Sequence, residues 1–280
     1  MEKKDVYVIR SQVSHPVEPA GVAMRSSATR NSGETGPSCA ICGGTGWKDV
    51  TSSGNRRVAR CDCFRRDQPE ILIAHSGIPA RYRECEFSTY QVGGNSVLEL
   101  AKSAIEKWAE QYPLSRVGLL IAGNAGLGKT HLAVSALKRI AQKGVHCLFC
   151  DYRELLKRIQ NSYNPSVQAA ELEILQPVLE AEVLLLDDLG AVRPSLWVWD
   201  TVSVVLNARY NAKLTTIITT NFMDKPAANP SLTDAQSAGR KETLGDRITD
   251  RMRSRLAEMC RLVVLDGEDY RQTFRQSGFR

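Results

Sequence analysis

The 280-residue sequence holds no apolar run near the ~20 residues that cross a bilayer, which excludes a transmembrane helix at this level. Behind the basic start "MEKKDVYVIR" there is no apolar stretch of the kind a cleaved secretion leader needs, so a cytoplasmic chain is expected. No internal repeat is present. Net charge is also scarce: +6 permits contact with nucleic acid without demanding it. Large apolar residues are nearly missing from "HPVEPAGVAMRSSATRNSGETGPS", which cannot offset its own ordering entropy. Residues 1–38 are therefore expected to be a flexible tail, in which only the short "VYVI" could add a strand or bind a partner.

Eight cysteines are present, and in a cytosolic chain of this length clustered ones read as metal ligands sooner than as disulfides. Cys39 and Cys42 are separated by two residues, and Cys61 and Cys63 by one. Four thiolates on two tight knuckles make a tetrahedral Zn2+ site with no open position, which is structural and not catalytic. Free thiols or an iron–sulfur cluster are the alternatives. Cys147 and Cys150 lie three apart on an expected strand, so they face opposite sides and read as core. Cys85 and Cys260 carry no readable chemistry. The chain is thus expected to divide into the tail, a zinc-binding segment with a connector at 39–86, and a larger domain at 87–280.

That larger domain alternates helix and strand. "VLELAKSAIEKWAEQY" has a helical period, "VGLLIA" suits a buried strand, and "THLAVSALKRIAQKG" is a helix closed by Gly144. "VHCLFC", "EVLLLDD", "LTTIITTN" and "CRLVVLDG" follow as strands, with helical stretches between them. The expected fold class is α/β: an open parallel sheet with helices on both faces.

"GNAGLGKTH" matches G-x-x-x-x-G-K-[ST] at every fixed position. The candidate phosphate cradle is Gly123, Asn124, Ala125, Gly126, Leu127, Gly128, Lys129, Thr130 and His131. Its glycines let backbone amides close on phosphate oxygens, and the following helix adds its dipole. Lys129 reaches the β- and γ-phosphates of ATP, and the Thr130 hydroxyl coordinates Mg2+. The loop stands between an apolar strand and a good helix, the context the motif requires. The matching acidic strand ends at Asp187, placed to hold Mg2+. Asp188 follows where hydrolytic ATPases often carry a Glu that polarises the attacking water; as a bland alternative it is a turn residue. Asn221 ends the next strand and could orient that water.

"LGDRITDRMRSRL" reads as one helix from Leu244. Leu244, Ile248, Met252 and Leu256 form an apolar stripe at i, i+4 spacing, and Arg247, Arg251 and Arg255 form a second stripe beside it. Like charges at this spacing cost a few tenths of a kcal/mol per pair, roughly, so the row suits an external anion.

"GNAGLGKTHL", "LLLDDLG", "IITTN", "LGDRITDRMRSRL" and "DYR", in this order, resemble the AAA+ ATPases of the DnaC/DnaI helicase-loader type and the related IstB transposition helpers. The resemblance covers about 86–271. It implies that Arg251 is an arginine finger given to the ATP of an adjacent subunit in a homo-oligomer, and that Arg271 touches phosphate in its own subunit. It implies an AAA+ P-loop sheet lacking most of the C-terminal lid, because the chain ends at Arg280. Single-stranded DNA would meet Ser195 and Trp197 in "RPSLWVW", with Tyr163 a further contact, although Trp197 could equally pack on the sheet. The zinc segment is similar to the DnaI-type region that engages a hexameric replicative helicase. The implied function is an ATP-dependent loader of that helicase with weak or partner-stimulated hydrolysis. The alternative is an IstB-like ATPase helper of a DNA transposase.

Overall fold

A computed structural model describes residues 41, 47–52, 55–60, 62–163, 171–227 and 240–270. Its centre is a parallel sheet in the order β4-β5-β6-β3-β7. The strands are β3 (Gly118–Gly123), β4 (Cys147–Asp151), β5 (Val183–Asp187), β6 (Thr215–Thr220) and β7 (Cys260–Leu265). Every strand anticipated from its apolar run is there. Because side chains alternate across a strand, each run feeds two cores. Leu119, Ile121, Leu185 and Ile217 enter one, while Leu120, Leu184, Leu186 and Ile218 enter the other. Cys147 falls in the first, and Cys150 packs against the second, on opposite sides as their spacing required.

The first core is covered by α2 (Ser96–Gln111) and α3 (Lys129–Ala141). Asn95 starts α2 by accepting the Val97 and Leu98 amides, which satisfies two donors that no earlier turn can pair. The apolar residues Leu98, Ala101, Ile105, Trp108 and Ala109 then recur at helical spacing and turn inward. The second core is covered by α4 (Tyr152–Ser162), α5 (Glu171–Glu180), α6 (Leu196–Asn211) and the arginine-bearing segment.

Ahead of the sheet, β1 (Trp47–Ser52) and β2 (Asn55–Arg60) form an antiparallel hairpin, and α1 (Asp62–His75) follows. Sequence reading assigned no elements here. Leu72, Ile78 and Cys85 join the first core beside α3, so the connector is packed as part of the same body. Cys39, Cys42 and Cys61 lie outside the described residues, and Cys63 stands in the first turn of α1. The hairpin pairs Trp47 with Arg60, so the strands leading from Cys42 and toward Cys61 meet at one end of it. Among the described residues no group of His, Cys, Asp or Glu is gathered to hold a metal, and no helix is long and apolar enough to cross a membrane.

Two cations, one of them buried, finish helices at their C-termini, where unpaired carbonyls concentrate negative potential. The Lys143 ammonium donates to the carbonyls of Ala109, Glu110 and Tyr112 at the end of α2. Arg209, 0 % exposed, donates to Val178 and Ala181 at the end of α5, to the Thr215 carbonyl and to the Thr216 hydroxyl, all at 2.7–2.9 Å. Burial pulls its guanidinium down to about 10, which leaves it charged at neutral pH. This fork ties α5, α6 and β6 together without a carboxylate. Arg209→Met should lower the unfolding free energy by about 3 kcal/mol or more, because it strands three buried carbonyls at roughly 1–3 kcal/mol each. Arg209→Lys keeps the charge but not the fork, and should fall between. Urea unfolding of the three proteins checks the order.

Candidate nucleotide site

The site lies at the C-terminal ends of the strands, where β3 runs into the glycine loop and α3. Gly128 caps α3 with φ 75, and an added Cβ there would lie 2.5 Å from the Tyr90 ring. Gly126 has φ 79, and its added Cβ would lie 1.8 Å from an Asp269 carboxylate oxygen. Both positions hold a positive φ that L side chains rarely adopt, so glycine suits them. Lys129, only 7 % exposed, donates across the loop to the Asn124 carbonyl at 2.7 Å. His131 pairs through Nε2 with the Glu86 carbonyl at 2.8 Å, and burial lowers its basicity.

Asp187 is the meeting point of three elements. Its Oδ1 accepts the Thr130 hydroxyl from α3 at 2.8 Å and the Thr219 hydroxyl from β6 at 2.6 Å. Burial raises its proton affinity, and the two hydroxyls offset part of that. Asp188, at φ 59, is turned by its own backbone out of the strand; Asp tolerates this region better than most residues. Its amide donates to the Thr219 hydroxyl at 2.8 Å, and its Oδ1 accepts Asn221 Nδ2 at 2.7 Å. Lys129, Thr130, Asp187, Asp188 and Asn221 are thus brought together at the end of the sheet.

A hydroxyl and a carboxylate side by side are the hard oxygen donors that Mg2+ takes, and Lys129 stands over the same loop. Thr130 and Asp187 would hold the ion, which when bound would neutralise charge across the β- and γ-phosphates. The donor set therefore fits Mg2+ and a triphosphate.

Sequence reading missed the wall of the site formed by Glu86–Asn95. Tyr90 donates its hydroxyl to the Leu127 carbonyl at 2.7 Å, and its ring meets His131 edge-on. Asn95 donates to the Asp266 carbonyl at 2.9 Å, and the Tyr270 amide reaches the Gly126 carbonyl at 3.3 Å. Phe87 and Tyr90 are buried in the first core. The signals are two aromatics followed by an Asn–Ser helix start, at the junction of the connector and the larger domain.

The arginine segment differs from its expected form. It is not one helix but two, α7 (Leu244–Ile248) and α8 (Asp250–Met259), broken at Thr249 with φ 72 and ψ 150. Thr243 and Asp246 start α7 with a capping box, and the segment 223–227 meets the start of both helices, through the Met223 and Lys225 carbonyls on α7 and the Ala227 amide on the Asp250 carboxylate of α8. The apolar stripe survives, with Leu244, Ile248, Met252 and Leu256 all buried in the second core. The arginine stripe does not. Arg247 is folded over the Phe222 ring, donates to the Val192 carbonyl and pairs with Glu242, which takes it out of the expected row facing an external anion. Arg255 lies over the Tyr210 ring. Arg251 is exposed, and no described residue engages its guanidinium.

Among the other candidates, Ser195 caps α6 by accepting the Val198 amide at 3.3 Å. Trp197 is partly buried against the second core, and Tyr163 is exposed with its hydroxyl on Glu171. Arg271 lies outside the described residues.

Residues 109–277 match the family model of the IstB-like ATP binding protein. The chain is 22 % identical over 182 residues to the replicative helicase loader DnaC of Buchnera aphidicola, covering 65 % of this chain and 68 % of that one. It superposes on the crystal structure of the DnaC helicase loader with a TM-score of 0.54 and 32 % identity, over 67 % of this chain and all of that one. The crystal structure of DnaI shares the fold at a TM-score of 0.50 and 20 % identity, over 69 % of this chain and 94 % of that one.

Burial raises the Asp187 pKa, so folding favours its protonated form: that stability is present at pH below the ordinary carboxylate range and is lost as pH rises through the raised value. At neutral pH the bare carboxylate therefore opposes folding. Asp187→Asn retains Oδ1 for both hydroxyls, and it should raise the melting temperature of the nucleotide-free protein near neutral pH while removing magnesium-dependent stabilisation by ATP. Thermal melts with and without Mg-ATP, between pH 4 and pH 8, test both halves.

Proposed function

The chain belongs to the IstB-like ATP-binding family, and on that premise we propose that it is an ATP-dependent loader of a replicative helicase that works as an oligomer on single-stranded DNA. The observation that carries the reading is the gathering of Lys129, Thr130, Asp187, Asp188 and Asn221 at the loop, together with an exposed arginine, Arg251, whose guanidinium no described residue of its own chain engages. A guanidinium stays charged and offers forked donors to phosphoryl oxygens, so an exposed one on a short helix suits a phosphate on a neighbouring copy.

In this reading the glycine loop amides and Lys129 hold the β- and γ-phosphates, and Thr130 with Asp187 hold the magnesium ion. Asp188, steadied by Asn221, orients a water for in-line attack on the γ-phosphorus as the bond to the ADP oxygen breaks. Arg251 of the adjacent subunit meets the charge that develops on the transferred phosphoryl group. Arg271 would contact phosphate from within its own subunit. Ser195, Trp197 and Tyr163 would line the DNA, with Trp197 offering the part of its indole left exposed. Cys39, Cys42, Cys61 and Cys63 would hold a structural zinc at the end of the β1–β2 hairpin, and that segment would engage the hexameric helicase. A second reading, carried by the resemblance to IstB-type helpers, is an ATPase helper of a transposase acting on duplex DNA. The client protein separates the two.

Arg251→Ala should leave ATP affinity within about two-fold, yet lower assembly-dependent hydrolysis by roughly 10^3-fold, the lower end for an arginine supplied in trans. Equal loss of binding and turnover would remove the trans role. Metal analysis of the purified protein should find about one zinc per chain, as four thiolates fill one tetrahedral site. Pull-down of a hexameric helicase should require residues 39–63; filaments on duplex DNA with no helicase contact would instead support the transposition reading.

A further inference from the structure

The neighbours of Arg251 are fastened by contacts that the nucleotide site itself does not require. Asp250 accepts the Ala227 amide at 3.0 Å and lies 3.5 Å from Arg253 Nε. Arg253 donates to Asp224 Oδ1 at 3.0 Å, and the two side chains are only 24 % and 16 % exposed. Asp224 and Ala227 belong to the segment that leaves β6 directly after Asn221, the residue that holds Asp188. The same segment is joined to α7: the Leu244 amide donates to Met223, the Gly245 amide to Lys225 and the Thr243 hydroxyl to Pro226. An added Cβ on Gly245 would lie 2.4 Å from the Ala227 amide, so the approach is as close as backbones allow.

Between the helices, Thr249 holds φ 72 and ψ 150, a region that is almost confined to glycine and costs about 1–3 kcal/mol elsewhere. A β-branched residue persists there only when its surroundings over-determine it. The Asp224–Arg253–Asp250 contacts and the α7 seams supply that determination. Their combined effect is to set the direction in which α8 departs, and Arg251 is the second residue of α8.

We propose that Asp224, Arg253 and Asp250 form a positioning clamp that fixes Arg251 for the nucleotide of the adjacent subunit and couples it to Asn221 in its own. The proposal rests on the reading of Arg251 as the trans-acting arginine. Asp224 and Arg253 touch no nucleotide in it; they act through Arg251. A long side chain loses rotamer freedom when it docks, and a misplacement of the chemistry by about 1 Å costs on the order of 10²-fold. A fixed base for Arg251 is therefore worth a partly buried ion pair.

The test uses full-length protein with saturating ATP and magnesium, at concentrations where the wild type assembles. Asp224→Asn should lower kcat by about 10- to 100-fold with KM within about two-fold of wild type. Mixing it with Asp188→Asn subunits, which do not hydrolyse but carry an intact arginine and clamp, should restore turnover at the Asp224→Asn pockets. Asp224→Glu should recover most of the rate by itself. A loss that mixed subunits do not restore would mean that the pair is only structural, and the clamp would be overturned. Wild-type kcat in Asp224→Asn, alongside loss in Arg251→Ala, would overturn the clamp and leave the trans arginine standing. Wild-type kcat in Arg251→Ala would remove both. If Asp224→Asn fails to fold, Thr249→Gly relieves the backbone instead: the same rate loss and the same rescue are expected, and an unchanged rate overturns the proposal.

Discussion

A single carboxylate oxygen, Asp187 Oδ1, sets the geometry on which the nucleotide site depends. It binds one hydroxyl from the helix after the glycine loop and one from the strand beside its own. Each contact contributes about 1.5–3 kcal/mol, the range for a hydrogen bond with one charged partner. Together they lock three separate elements to one point. The Thr219 hydroxyl extends the arrangement by accepting the Asp188 amide, which fixes the turn that carries Asp188 toward Asn221. The buried carboxylate opposes folding in the free protein near neutral pH.

The same economy of contacts recurs where the sheet meets its helices. Arg209 is buried with carbonyls and a hydroxyl as its partners, and Lys143 ends α2 in the same manner. Both place a cation on the negative end of a helix, where the charge is solvated by the protein itself.

Around the arginine segment, the departure from a single helix changes what the charges do. In one continuous helix Arg247 and Arg251 would sit one turn apart and repel. The break at Thr249 turns Arg247 onto Phe222 and Val192, and leaves Arg251 alone at the surface. Trp199 also donates its indole N–H to the Arg247 carbonyl, so α6 and α7 are joined beside the Asp188 turn. The helix bearing Ser195 and Trp197 and the helix bearing Arg251 are therefore reached from one another through few residues.

The alternation of strand and helix, the glycine loop, Asp187 and Asn221 were legible from the sequence because each is a local pattern. A strand buried on both faces must be apolar at successive positions, and a phosphate loop must have glycine where side chains would collide. The hairpin at 47–60 was not legible, because its polar residues carry no apolar alternation. The part that Glu86–Asn95 plays was hidden because it touches the glycine loop some forty residues away, as in the pair of Tyr90 with Leu127. The break at Thr249 was hidden for the same reason: Asp224 and Ala227, remote in sequence, outweigh a strong local helical pattern. Period and composition thus determined the elements and the chemistry of the phosphate loop. Only the tertiary structure decided which arginine stays free, since that depends on contacts between segments whose order in the chain does not reveal their distance in space.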